Sequence, residues 1–245
     1  MSNLGALVVH GLFEHEGRHK DNVEWLKNLG IETYSLNLPG HGDIEEKGHI
    51  ETWDENIEAI VSAYNKISNK DVKIIFAHSY GSLVSVSAIL REKIDPDYLI
   101  LSAPHFDDNY PKFVKNMSGA MAKVFPKLRA PSPVNKRNLS TDKETVNSYF
   151  NDPLVFRSLT FKFGNEITVE QNFVNENIEK LKIPTLVLHG DKDKIVPIKA
   201  SDNISKLENV KFITVENSKH EILNQDTRTF VLSEIHYWFK EKNLI

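Results

Sequence analysis

The sequence predicts an α/β fold with a mostly parallel sheet, helices on both of its faces and one long helical insertion. Short apolar runs of strand length alternate with amphipathic stretches of helix length over residues 4–102. Single helices between strands imply crossover connections and therefore a parallel sheet. This alternation stops after Pro104 and resumes at Pro184. In addition, a strand, a tight turn and a helix follow one another directly around Ser79.

Hydrophobic periodicity places the individual elements. Strands are predicted where apolar or β-branched residues run or alternate over five or six positions. These strands are Leu4–Val9, Ile31–Leu36, Val72–Phe76, Tyr98–Ser102, Pro184–Leu188 and Val210–Val215. Helices are predicted where apolar residues recur every three or four positions. The first helix begins at Asp21. Further helices run over 53–67, 82–90 and about 201–207, and the last helix carries residues 230–239.

The segment from His105 to about Leu181 interrupts this order. It contains helical stripes and polar loops but no strong strand. Insertions of this size at the carboxyl edge of a sheet usually shape a site. We therefore expect a core made of residues 1–104 and 182–245, and a helical cap or lid made of residues 105–181.

Composition narrows the class of protein. The 245 residues are 40% hydrophobic and 26% charged, with a net charge of −4, so we expect no nucleic-acid partner. The absence of cysteine excludes disulfides, thiolate metal sites and a cysteine nucleophile, and fits a cytoplasmic location. No apolar run approaches the roughly 20 residues of a membrane span. The stretch MSNLGALVVHG has no basic region before its apolar part, which favours a first strand over a signal peptide.

The residues VKIIFAHSYG, from Val72 to Gly81, predict a nucleophile elbow. In such an elbow, a strand and a helix joined by a tight turn hold a serine in a strained, exposed conformation. Small residues are required two positions before and two after the serine, because the strand and helix backbones nearly touch. Ala77 and Gly81 meet this requirement around Ser79. The alternative is an ordinary buried turn that happens to contain a serine.

Ser79, Asp193 and His220 are the predicted catalytic residues. Each lies just beyond a predicted strand or in the loop that follows it, and these strand ends meet at one rim of a doubly wound sheet. The order serine, aspartate, histidine is that of an α/β-hydrolase. His220 would take the serine proton, and Asp193, three residues after Gly190, would hold the other imidazole nitrogen. Asp191 is the rival candidate for the acid.

The reaction also needs two fixed N–H donors for the oxyanion. The elbow offers the backbone N–H of Tyr80 at the start of its helix, and the loop after the first strand should offer the second, at Leu12. Among the other histidines, His10 and His189 are expected to form hydrogen bonds under loops. His78, although next to the nucleophile, is expected to point away from it.

Several motifs resemble a known family. The motif HGLFEHEGR (His10–Arg18), the loop LPGHG (Leu38–Gly42), the sequence GDKD (Gly190–Asp193) and the sequence KHE (Lys219–Glu221) are similar to signatures of monoacylglycerol lipases and bacterial lysophospholipases. The stretch Asn138–Leu154 resembles a segment of their cap. The resemblance covers nearly the whole chain. It implies the α/β-hydrolase fold and the hydrolysis of a single-chain lipid ester, with Leu12 and Tyr80 as the oxyanion donors.

Three departures from that family stand out. Ala77 replaces the first glycine of the elbow, and Asp43 and Ile44 replace the serine that usually follows the GHG loop. His10 comes so early that we expect the family's first antiparallel strands to be missing. A sheet of about six strands is therefore expected, with an edge that is exposed or used for self-association, as in a dimer. None of the three departures touches the predicted triad.

The residues between Pro111 and Pro131 combine an apolar helical stripe with basic residues and no acid. The expected substrate pocket takes part of this stripe, together with two residues near the elbow: Phe13, His78, Phe113, Met117, Met121 and Phe125. The basic residues favour a transient contact with a membrane surface; they are Lys112, Lys115, Lys123, Lys127 and Arg129. The alternative is a structural cap helix, packed on the body by its stripe, with lysines that form a solvated face.

The leading hypothesis is a serine carboxylesterase acting on monoacylglycerol or lysophospholipid. No metal or cofactor is expected, because no ligand spacing or phosphate-binding glycine loop is present. A second hypothesis is an aminopeptidase of the same superfamily, whose cap would need an acidic pocket for a free amino terminus. Asp142, Glu144 and Glu166 are acids of the cap. A third hypothesis, a non-catalytic binding protein with a hydrolase fold, is disfavoured by the complete triad.

Overall fold

The computed structural model of the chain describes residues 3–108, 112–224 and 227–245, except for the side chains of residues 112–114 and 116. The strands within these residues are β1 (Leu4–Val9), β2 (Glu32–Leu36), β3 (Val72–His78), β4 (Tyr98–Ser102), β5 (Arg129–Pro131), β6 (Ser158–Thr160), β7 (Thr185–Gly190) and β8 (Val210–Val215). The α-helices are α1 (Lys20–Asn28), α2 (Asp54–Tyr64), α3 (Tyr80–Leu90), α4 (Lys112–Val124), α5 (Lys143–Asn151), α6 (Phe161–Asn177) and α7 (Arg228–Glu241). None of the helices described is long and apolar enough to cross a membrane.

Six of these strands form the central sheet, in the order β2-β1-β3-β4-β7-β8, and all neighbouring pairs are parallel. The predicted α/β fold, with a parallel sheet of about six strands, is therefore confirmed. Parallel strands end on one edge of a sheet, so the loops after β3, β7 and β8 meet there. Strands β2 and β8 are the outer strands of this sheet. The use of one of these edges for self-association stays a prediction.

Helices cover both faces of the sheet, which explains the unbroken apolar run of β1. Leu7 and Val9 pack with residues of α2 and α3 on one face, whereas Ala6 and Val8 pack with residues of α1 and α7 on the other. None of the four is more than 2% exposed. Successive side chains of a strand point to opposite faces, so a strand between two helical layers is apolar throughout.

The segment between β4 and β7 carries α4, α5 and α6 and a small antiparallel sheet of β5 and β6. The sequence predicted no strong strand in this segment, and it did not reveal β5 and β6, because three-residue strands are too short to show an alternating pattern. Helix α6 packs against α3, the helix that starts at the elbow. There the buried carboxylate of Glu170 accepts a hydrogen bond from Ser87 Oγ at 2.6 Å and forms an ion pair with Arg91. This contact fastens the segment to the core.

The region before β8 also differs from its prediction. The helix expected over about 201–207 is two short 3₁₀ turns, Ile198–Ser201 and Ile204–Lys206. The apolar spacing that predicted a helix is present, since Ala200 and Ile204 are buried. However, the hydroxyl of Ser201 lies 2.9 Å from Nδ1 of His189. This contact ties the first turn to the end of β7.

Candidate active site

The turn between β3 and α3 has the backbone geometry that an elbow requires. Ser79 has φ 50° and ψ −116°, a conformation that is strained for any residue with a side chain. A Cβ atom on Gly81 would lie 2.5 Å from the carbonyl oxygen of His10 and 2.6 Å from that of Val9, so only glycine fits there. Ala77 is completely buried. The Ser79 N–H donates to the Ser102 carbonyl at 2.8 Å, which fixes the turn to β4.

The structure brings the three predicted catalytic side chains together. Ser79 Oγ donates to Nε2 of His220 over 3.0 Å, and Nδ1 of His220 lies 2.6 Å from Oδ2 of Asp193. The other carboxylate oxygen, Oδ1 of Asp193, accepts the N–H groups of Ile195 at 2.8 Å and Val196 at 3.0 Å. All three residues are at least nine-tenths buried. This is the connectivity in which an imidazole can accept a serine proton while a carboxylate holds its opposite nitrogen.

Electrostatics favour the charge distribution that catalysis needs. Burial alone would raise the pKa of Asp193, but the charge of His220 and hydrogen bonds from His189 and His220 hold that pKa below its usual range. Burial alone would lower the pKa of His220, but the Asp193 carboxylate raises that pKa above its ordinary value. An ionised Asp193 thus makes the imidazole of His220 a stronger base.

Asp191, the rival candidate for the acid, contacts Ser218 and Lys192 instead of His220. Oδ1 of Asp191 accepts the N–H of Ser218 at 3.2 Å, and Oδ2 lies 3.4 Å from Nζ of Lys192. Asp191 therefore holds the start of the loop that carries His220, whereas Asp193 contacts the imidazole itself.

The two expected oxyanion donors lie at the ends of neighbouring strands. Leu12 lines the cavity beside Ser79, and Tyr80 begins α3 directly after it. Among the hydrogen bonds of the described residues, none uses the backbone N–H of Leu12 or of Tyr80. The N–H of Gly11 instead donates to Oε1 of the buried Glu14 at 2.6 Å, which fixes the loop in front of Leu12.

A cavity of about 390 Å³ opens above Ser79 and His220. Three of the expected pocket residues, Phe13, His78 and Met117, line it. Met121 and Phe125 do not, and the side chain of Phe113 lies outside the described part of the structure. Phe125 is 55% exposed, because the end of the α4 stripe points outward, not into the cavity. Most of the remaining wall is apolar and comes from the insertion, including Leu139, Leu159, Phe161 and Ile167.

One end of the cavity is charged, which the sequence reasoning missed. Glu14 accepts hydrogen bonds from Nε2 of His19 at 2.8 Å and Nε of Arg18 at 3.1 Å. Arg18 Nη2 also lies 3.7 Å from Oε2 of Glu221, and Nε2 of His78 lies 3.7 Å from its Oε1. Burial would raise the pKa of Glu221, but His78 and Arg18 hold that pKa at about 2. The spacing of Glu14 and Arg18, four residues apart, was the available signal.

The loop histidines make the structural contacts expected of them. His10 accepts the N–H of Leu38 at Nε2 over 3.0 Å, and its Nδ1–H donates to the Gly11 carbonyl at 2.7 Å. Nε2 of His189 donates to the Val196 carbonyl at 3.0 Å, directly under the Asp193 loop. Over residues 3–108, 112–224 and 227–245, no group of three or more acidic and histidine side chains is placed to hold a metal ion.

Lys115, expected as part of an outer basic face, points inward. Its Nζ lies 2.7 Å from Oδ1 of Asp107 and 3.2 Å from Oδ1 of Asp108, and its side chain lines the cavity. Asp107 and Asp108 follow β4, so this pair joins α4 to the core sheet. His105, in the same loop, also lines the cavity. The sequence analysis missed the contacts of Asp107, Asp108 and His105, because these residues lie far from the predicted triad in the sequence.

Comparison with known proteins agrees with this geometry. A monoacylglycerol lipase of Mycolicibacterium smegmatis is 26% identical over 245 residues, which cover 95% of this chain and 86% of that protein. Phospholipase YtpA of Bacillus subtilis is 25% identical over 91% of this chain and 89% of its own. The crystal structure of the Paleococcus ferrophilus monoacylglycerol lipase matches with a TM-score of 0.86 at 24% identity, covering 95% of this chain and 93% of that one.

A soluble variant of monoglyceride lipase from Saccharomyces cerevisiae, solved with a substrate analogue, matches with a TM-score of 0.85 at 16% identity, over 98% of this chain and 87% of that one. The resemblance carried by the HGLFEHEGR motif is thus confirmed. The family described as "Serine aminopeptidase, S33" matches residues 5–227, nearly the whole chain. The chain therefore belongs to this family of serine hydrolases and has the α/β-hydrolase fold.

Proposed function

We propose that the chain is a serine carboxylic-ester hydrolase that cleaves single-chain lipid esters of the monoacylglycerol or lysophospholipid type. The observation that carries this proposal is the hydrogen-bonded chain from Ser79 through His220 to Asp193 at the floor of a largely apolar cavity. The relatives named monoacylglycerol lipase and phospholipase support it. The cap formed by residues 105–181 is part of the proposal, because it supplies most of the apolar wall.

The chemistry follows from the positions of the atoms. Ser79 Oγ attacks the ester carbonyl while Nε2 of His220 takes its proton. The carbonyl oxygen becomes an oxyanion that the N–H groups of Leu12 and Tyr80 stabilise. The tetrahedral intermediate then collapses, the C–O bond to the alcohol breaks, and His220 returns the proton to the departing oxygen. Water repeats these steps on the acyl-serine, releasing the carboxylic acid and regenerating the serine.

The cavity offers different surroundings to the two parts of such a substrate. The departing alcohol must lie beside Nε2 of His220, which protonates it. Glu221, next to His220 in sequence, and Glu14 line that end with carboxylates, which suit alcohol hydroxyls. The acyl chain then extends toward the apolar wall formed by α4 and α6, where each buried CH₂ contributes about 0.8 kcal/mol.

The aminopeptidase hypothesis is raised by the description of the matched family. An α-ammonium group would need a carboxylate that has no other cation. The described carboxylates of the cavity wall are already occupied, Glu14 and Glu221 by Arg18 and Asp108 by Lys115. The acids of the cap that sequence pointed to lie away from the cavity, and two of them are engaged: Asp142 caps α5, and Glu166 accepts the N–H of Trp53. The ester hypothesis is therefore the better supported one.

A substrate panel tests the proposal directly. Monoacylglycerol, lysophospholipid, p-nitrophenyl esters and aminoacyl p-nitroanilides are to be compared on one preparation, with Ser79→Ala as the matched control. We expect ester cleavage by the wild type alone, with kcat/KM rising from acetate to octanoate below the critical micelle concentration. Preferential cleavage of the anilides would favour the aminopeptidase, and no cleavage of any substrate would favour a binding protein.

The proposal also includes a contact between exposed residues of α4 and a lipid layer. Met117, Val124, Phe125 and Leu128 are each more than half exposed on and just after α4. Together with exposed lysines such as Lys123 they form the surface that we propose touches a lipid layer when substrate is presented there.

A further inference from the structure

We propose that Asp152 of the cap is a positioning residue for the oxyanion donor Leu12, acting through His15 and the backbone of Phe13. This inference rests on the proposed ester hydrolysis and gives the cap a role in the chemistry besides forming the cavity wall. Asp152 directly follows α5, whereas the other three residues lie in the loop after β1. Asp152 and His15 take no part in the reaction steps of the triad, although both lie in stretches that resemble monoacylglycerol lipases.

Phe13, directly after Leu12, has a strained backbone. Its φ is 71°, in the left-handed region that residues with a side chain rarely occupy, and such a conformation persists only where surrounding contacts impose it. On the other side of Leu12, the N–H of Gly11 donates to Oε1 of Glu14 at 2.6 Å. Leu12 therefore lies between an anchor in the core and a strained residue. A relaxation of Phe13 would shift the N–H of Leu12, which has to face the oxyanion.

Two contacts from the cap hold Phe13 and His15. The N–H of Phe156 donates to the carbonyl of Phe13 at 3.1 Å, and the two aromatic rings pack edge to face with centroids 5.2 Å apart. Nε2 of His15 lies 2.9 Å from Oδ2 of Asp152. The N–H of Gly17 donates to Nδ1 of His15 at 3.2 Å, which leaves the proton of the neutral imidazole on Nε2, facing the carboxylate. The cap thus restrains the loop after β1 on both sides of Glu14.

Asp152 connects these two contacts. Its Oδ1 accepts the N–H of Leu154 at 2.8 Å, and its backbone carbonyl accepts the N–H of Val155 at 3.3 Å. The turn formed by these bonds presents the N–H of Phe156 to the loop after β1. Burial would raise the pKa of Asp152, but the hydrogen bonds from His15 and Leu154 lower that pKa, so the carboxylate is charged at neutral pH. Removing this carboxylate releases the imidazole and loosens the turn at the same time.

The test measures kcat and KM on p-nitrophenyl octanoate. Asp152→Ala and His15→Leu should each lower kcat by about 10- to 100-fold, part of the loss that follows removal of an oxyanion donor, and change KM by less than about 2-fold. His15→Gln, which keeps a side-chain donor, should retain most of kcat. Asp142→Ala is the matched control, because it removes an aspartate from the other end of α5. It should leave kcat unchanged.

Two backgrounds isolate the role of the strained backbone. Phe13→Gly and Phe13→Ala both remove the aromatic ring, but only glycine adopts a φ of 71° without strain. Asp152→Ala should therefore lower kcat by about 10- to 100-fold in the Phe13→Ala background and by less than about 3-fold in the Phe13→Gly background. A cap that only shapes the cavity wall would not produce this difference.

Two results would overturn the positioning role: equal losses of kcat from Asp152→Ala in the two Phe13 backgrounds, or a wild-type kcat in both Asp152→Ala and His15→Leu. If Asp152→Ala fails to fold, His15→Leu in the same two backgrounds decides. The proposed function fails separately, because then the wild type does not hydrolyse p-nitrophenyl octanoate at all.

Discussion

The catalytic rim and helix α4 are held in place by different kinds of interaction. At the rim, backbone groups fix the functional atoms: the Ser79 N–H bonds to β4, and two N–H groups hold the Asp193 carboxylate. On α4, the described ionic attachment is made by a side chain, Lys115, to the two aspartates that follow β4, while Phe125 is exposed just beyond the end of the helix. Backbone groups thus fix the rim, whereas α4 depends on side-chain ion pairs that a single substitution can remove.

The largest effect is expected at the rim. His220→Ala and Asp193→Asn should each lower kcat on an octanoyl ester by about 10³- to 10⁴-fold while the circular dichroism spectrum is unchanged. Asp191→Asn is the matched control and should have a much smaller effect, because Asp191 contacts Ser218 and Lys192 instead of His220. A crippling Asp191→Asn beside a mild Asp193→Asn would contradict the assignment of the acid.

Two glycine-to-alanine variants test how tightly the backbone is constrained at the catalytic rim and on α4. Gly81→Ala should lower the free energy of unfolding by about 1–3 kcal/mol, because its Cβ would overlap the carbonyls of His10 and Val9. Gly119→Ala on α4 meets only Oδ1 of the Asn165 side chain, at 3.1 Å, and should be neutral or stabilising by up to about 1 kcal/mol. Urea denaturation of both variants measures this difference. Equal losses would mean that α4 is as tightly constrained as the elbow.

The pH dependence tests the electrostatics of the rim. His220 must be neutral to accept the serine proton, and Asp193 raises its pKa above the ordinary value of about 6.5. The kcat/KM of the wild type should therefore fall as the pH drops through a limb above about 6.5. In Asp193→Asn the charge is gone and burial lowers the pKa, so the limb of the residual activity should move to lower pH. A limb that stays in place would assign it to another group.

The smallest effects concern two lysines of α4. Lys115→Gln should lower the free energy of unfolding by up to about 1 kcal/mol, since its ion pairs are partly exposed, and Lys123→Gln by less than about 0.5 kcal/mol. Binding to anionic vesicles should show the reverse order, with a loss of about 1 kcal/mol for the exposed Lys123 and less for the neutralised Lys115. The same order in both measurements would mean that the lysines of α4 do not contact the lipid surface.

The difference between the catalytic rim and α4 also explains which features could be predicted from the sequence. The sheet and the neighbourhood of Ser79 follow from local rules, because strand length, small residues at the turn and the order of three loops are visible in one dimension. The pairing of β5 with β6 and the buried contact of Arg18 with Glu221 join residues that are far apart in the sequence, and the inward direction of Lys115 depends on how the loop after β4 folds. Periodicity alone assigned Phe125 to the pocket, although the stripe of α4 points outward at that position.

Labelling with a fluorophosphonate probe tests the central claim most directly. We predict one covalent adduct, found by peptide mass spectrometry on the peptide that contains Ser79, because that hydroxyl alone is bonded to the His220 base among the described residues. Ser79→Ala should remain unlabelled, and His220→Ala should react far more slowly. An adduct on another serine, or labelling of Ser79→Ala at the wild-type rate, would contradict the account.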